Sequence, residues 1–78
     1  MKNIQLVDVT IHIDKETDEA TRSAVEAALR GTDGVISVHM PLEEPHLIVV
    51  EYDPDATKSI TLLKAVQAVA GNAELIGL

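Results

Sequence analysis

The chain has 78 residues, 46% of them hydrophobic, enough for one compact core and too few for two. Thirteen carboxylates against six basic side chains give a formal charge of -7 with no Lys/Arg cluster, which argues against nucleic acid or an anionic membrane surface as a partner. Cysteine is absent, so disulfides, thiolate metal sites and thiol catalysis are excluded together, while the redox compartment stays open.

The first fifteen residues place Asp8, Asp14 and Lys15 amid short apolar alternation and form no signal-peptide core, and no apolar run approaches the length of a membrane span. A cytoplasmic protein without membrane insertion is the expectation. Tyr52 is the only aromatic residue, so Val, Ile, Leu, Ala and Met must build the core and aromatic platforms for bases or sugars are missing.

From Ile4 to Ile13 the chain alternates, with Val7, Val9, Ile11 and Ile13 on one side and Asp8, Thr10 and His12 on the other, which predicts a half-buried strand. An acidic stretch follows, and Thr21, Val25, Ala28 and Leu29 then recur at helical spacing, with Thr17 or Asp18 as N-cap and Glu19 in the first turn. Gly31 is expected to end this helix in a left-handed conformation. Gly34 then turns the chain into a second strand, Val35 to Met40, and the segment Pro41 to Pro45 reads as a hairpin connection leaving an edge strand. His46 to Tyr52 is a β-branched third strand, ended by Asp53-Pro54-Asp55. Thr57 or Ser59 can cap a second helix with Leu62, Leu63, Val66, Val69 and Ala70 as its buried stripe, before Gly71-Asn72 breaks it and Ala73 to Ile76 forms a short last strand. This order predicts one α+β domain over residues 1–78, a ferredoxin-like βαββαβ sandwich in which two helices cover one face of a four-stranded antiparallel sheet.

Ile11-x-Ile13, Val25-Glu26-x-Ala28-Leu29 and Gly34-Val35-x-Ser37-Val38, followed by Tyr52-Asp53-Pro54 and Ala73-Glu74-Leu75-Ile76, together resemble the heavy-metal-associated family of copper chaperones and metal-pumping ATPases. The resemblance covers roughly residues 9 to 76. It implies a metal loop Gly-Met-x-Cys-x-x-Cys between the first strand and first helix, whose thiolates hold a soft cation. In this chain Lys15 stands for the glycine, Glu16 for the methionine, Asp18 for the first cysteine and Thr21 for the second. The family's tyrosine or lysine in the last loop corresponds to Gly71 or Asn72. The resemblance therefore implies the fold and a link to metal homeostasis, with a degenerate CxxC motif.

Asp14, Glu16 and Asp18, with His12, are the candidate ligands for a divalent metal ion, because oxygen and imidazole ligands suit harder and borderline cations. The competing reading is a solvated helix-start loop with one capping aspartate and no cofactor. His39 and His46 read as exposed sheet histidines, and Met40 as core. Ile48, Val50 and Tyr52 can face the helices, which leaves Leu47 and Val49 on the open sheet face, joined there by Ile36 or Leu6, as a surface for another protein or for a homodimer. Glu19 belongs to a second, acidic surface, the first-loop face, suited to a basic partner. No nucleophile-base pair or phosphate loop is present, so the expectation is not an enzyme but a non-catalytic interaction or regulatory module. A direct metal-ion protein and a small-molecule sensor are the alternatives.

Overall fold

The computed structural model describes residues 5–76, and Ile4, where the first strand was expected to begin, lies outside the described residues. Six elements follow in the order β1 (Val7–Ile13), α1 (Glu19–Arg30), β2 (Val35–His39), β3 (Leu47–Tyr52), α2 (Ser59–Ala70) and β4 (Ala73–Ile76). The four strands form one antiparallel sheet in the order β2-β3-β1-β4, which is the ferredoxin-like arrangement expected.

Alternation sets the layers. Val9, Ile11 and Ile13 of β1 and Ile48, Val50 and Tyr52 of β3 turn to the helices and are buried, while Thr10, His12, Leu47 and Val49 face the other way. Ile11 and Ile48 are paired across the central strands and neither has measurable exposure. Val38 of β2, Val25 and Leu29 of α1 and Leu62 and Val66 of α2 complete the core. Val7, at the open end of β1, is exposed although its parity is that of the core.

Local conformations depart from expectation at five places. Gly31 is not left-handed: its φ is -83°, and the end of α1 is closed by Thr32, whose hydroxyl donates to Ala28 O at 2.9 Å. The left-handed position falls at Gly34, φ 94°, where a Cβ would lie 2.8 Å from the Ala56 methyl. Strand β2 carries a bulge, since Val35 pairs with Tyr52 and Ser37 with the adjacent Glu51, leaving Ile36 unpaired and 55% exposed. Helix α2 begins after Lys58 with no side-chain cap, because Thr57 is buried against the Gly34 turn and Ser59 is already helical. Val69, expected in the buried stripe, is exposed at the end of α2, whereas Leu63 and Ala70 pack against the core.

Two comparisons check this architecture. Leu29→Ala should lower unfolding free energy by about 2–5 kcal/mol in urea denaturation, the range for deleting a fully buried leucine side chain. Gly34→Ala should lower the melting temperature more than Gly71→Ala, because both glycines have positive φ but only Gly34 also meets Ala56 and Thr57.

Candidate functional site

The β1–α1 loop is built around a helix start. Thr17 N–H donates to Asp14 O at 3.0 Å, forming the turn that leads to Asp18. Asp18 takes an extended backbone conformation, and its Oδ1 accepts the Thr21 N–H at 2.8 Å. Asp18 and Thr21, the two positions that correspond to the cysteines of the resembled motif, are thus joined to each other as cap and capped residue. Arg22 extends the arrangement by donating its guanidinium to Thr17 O.

Hydrogen bonding from Thr21, by its side chain and then its backbone N–H, holds the Asp18 carboxyl below the usual carboxylate range, with desolvation opposing and the positive charge of Arg22 assisting. A depressed folded-state pKa contributes stability that is present above the unfolded value near 3.8 and is lost as pH falls through the folded value. Asp18→Ala should therefore melt at lower temperature than the native chain at neutral pH, and the gap should close as the solution is acidified below that range. Asp18→Asn should keep most of the cap without its pH dependence, as read by circular-dichroism melting from pH 7 to pH 2.

The last loop does reach the first one. Asn72 Nδ2 donates to Asp14 Oδ1 at 3.1 Å across 58 residues of sequence, so the corresponding loop closes here on a carboxylate. His12 and Asp14 line a small pocket with Asn72, Ala73 and Glu74. Glu16 and Asp18 lie outside it. Among the described residues, no three histidine or carboxylate side chains are already gathered around one point as a ligand set.

Pairing brings together side chains that the sequence leaves separate. His12 lies opposite Leu47 on β3 and Glu74 on β4. Its Nδ1 is 3.6 Å from Glu74 Oε1, and its ring meets that of His46 edge-on, with centroids 5.3 Å apart and planes at 86°. His39, on the same open face, is exposed and pairs with Val49. The meeting of His12 with His46 and Glu74 was not anticipated. Strand order carries the Glu74 contact, since β4 must place an outward residue beside His12, whereas on β3 that residue is Leu47 and His46 reaches His12 only through its ring.

Leu47 and Val49 are half-buried on the open face, where Ile76 pairs with Thr10 and is 41% exposed. Glu19 stands apart from them, in the helical layer, where it borders a cleft between α1 and the β2–β3 connection formed with Arg22, Met40, Pro41 and Leu42. Leu42 at its rim is 94% exposed.

The model of the heavy-metal-associated domain family matches residues 10–72. The chain belongs to this family. Among solved structures, the heavy-metal-associated chain resembles oxidized MerP from Ralstonia metallidurans CH34, with TM-score 0.78, 27% identity, and coverage of 94% of this chain and 100% of that one. A copper binding domain from HMA7, a P-type ATPase, has TM-score 0.76 and 25% identity, covering 90% of this chain and 93% of that chain. The CopZ metallochaperone shares the fold at TM-score 0.66 and 22% identity, with 92% of this chain and 100% of that chain aligned. Comparison with curated protein sequences gives no match. No helix among the described residues is long and apolar enough to cross a membrane.

Proposed function

We propose that this chain is a non-catalytic interaction or regulatory module of metal homeostasis, a heavy-metal-associated domain in which a helix cap replaces the soft-metal site. The observation that carries this reading is the Asp18 Oδ1 to Thr21 N–H bond. At the two positions where the family pattern calls for thiolates, one side chain is a hard carboxylate engaged in capping and the other residue supplies its partner through the backbone. The link to metal homeostasis rests on family membership and on the named relatives, a P-type ATPase copper binding domain and a metallochaperone among them.

Two surfaces suit a protein partner. The exposed carboxylates Asp14, Glu16 and Glu19 give the first-loop face a negative field that favours a basic partner. Leu47, Val49 and Ile76 give the open sheet face an apolar centre that fits another protein or a second copy of this chain.

Anaerobic titration with Cu(I) against a competing chelator tests the replaced site. The native chain should leave the metal with the competitor, whereas Asp18→Cys combined with Thr21→Cys should take it up. Saturable amide shifts at Asp14 to Thr21 in the native chain would sink the reading. For the sheet face, replacing Leu47 and Val49 by glutamate should reduce solution mass or partner binding; if both are unchanged, that face is not the contact surface.

A further inference from the structure

We propose that His12, His46 and Glu74 form a binding site for a borderline divalent ion, Zn²⁺ in the first place, on the open side of the sheet and separate from the β1–α1 loop. Strand pairing sets Glu74 beside His12, and the His46 ring meets the His12 ring from just before β3. His12 is held between both neighbouring strands, Glu74 is its partner on β4, and His46 precedes β3 with its carbonyl accepting the Ile13 N–H at 2.9 Å.

The spacings are close to those of a shared ion. Two imidazoles bound to one tetrahedral ion at about 2 Å hold their ring centres about 5 Å apart, and an imidazole nitrogen and carboxylate oxygen on that ion lie about 3.3 Å apart. The corresponding separations here are 5.3 Å and 3.6 Å. The edge-on ring arrangement does not yet aim both nitrogens at one point. Closure requires turning the His46 ring about its side-chain torsions and swinging Glu74, whose side chain is 75% exposed.

Donor chemistry selects the ion. Two imidazoles and one carboxylate suit Zn²⁺ and its borderline neighbours, while soft Cu(I) would prefer the thiolates this chain lacks. Three protein ligands leave the fourth position to water or to a donor from a partner. The net charge of -7 favours approach of any cation, so charge alone does not single out this place, and the imidazoles must.

The test is calorimetric titration of the chelator-treated protein with Zn²⁺, paired with amide chemical shifts. We expect one-to-one binding with Kd in about the micromolar range and shifts centred on His12, His46 and Glu74. His46→Ala and Glu74→Gln should each weaken binding by about tenfold or more, the scale on which even outer contacts of a metal site act. His39→Ala, on the same face but outside the cluster, should bind as the native chain does. His46 and Glu74 lie outside the buried core, and unchanged melting temperatures would show that their variants fold. Non-saturating binding, shifts centred on Asp14 to Glu19, or equal losses in His39→Ala and His46→Ala would overturn the proposal. It stands independently of the interaction reading: failure to bind Zn²⁺ leaves the sheet and loop surfaces as docking candidates, and failure of the docking tests leaves the metal measurement intact.

Discussion

Ile11 and Ile48 meet at the middle of the sheet with neither exposed, and their pairing sets the register of the two central strands. Because side chains alternate with a period of two, sliding β3 by one residue would turn Ile48, Val50 and Tyr52 outward and bring Leu47, Val49 and Glu51 under the helices. Burial of Glu51 without a partner forbids that alternative. The same register decides what lies outside. It places His12 against Leu47 and Glu74, and it delivers the end of β1 to the loop that starts α1. Core and surface are two readings of one alignment.

At the loop, the chain carries Asp18 and Thr21 at the positions that correspond to the cysteines of the family pattern. A helix N-terminus offers unsatisfied N–H groups and a positive field, and either a thiolate or a carboxylate can exploit them. Here Asp18 answers the Thr21 N–H with its side chain and the Arg22 N–H with its carbonyl, and the Arg22 guanidinium reaches back to Thr17 O. Asn72 closes the last loop onto Asp14 by a further neutral-to-charged hydrogen bond.

Much of the fold was legible because strands and helices of this chain announce themselves by period. Val9, Ile11 and Ile13 alternate cleanly, Val25 and Leu29 recur at helical spacing, and β4 runs over the expected Ala73 to Ile76. What escaped was conformation that depends on distant partners. Gly31 and Gly34 are equally permissive as sequence, and only the fold shows that the second takes the positive φ and leaves no room for a Cβ against Ala56 and Thr57. Ile36 shares its parity with buried Val38, yet the bulge puts it outside. At the candidate sites, Asp18 as N-cap was readable from local spacing, whereas the approach of His46 and Glu74 to His12 needs the strand order.

The bulge at Ile36 also bears on how copies of this chain can meet. Strand β2 is an outer strand of the sheet, and an outer strand with free backbone groups invites another chain to extend it. An unpaired residue at the second of only five positions, with Pro41 soon after the strand, breaks the even ladder that such an extension would need. Fibre-like growth through strand addition is thereby discouraged at the β2 border, which leaves recognition there to side chains, whose identity differs between proteins, and not to backbone that every protein shares.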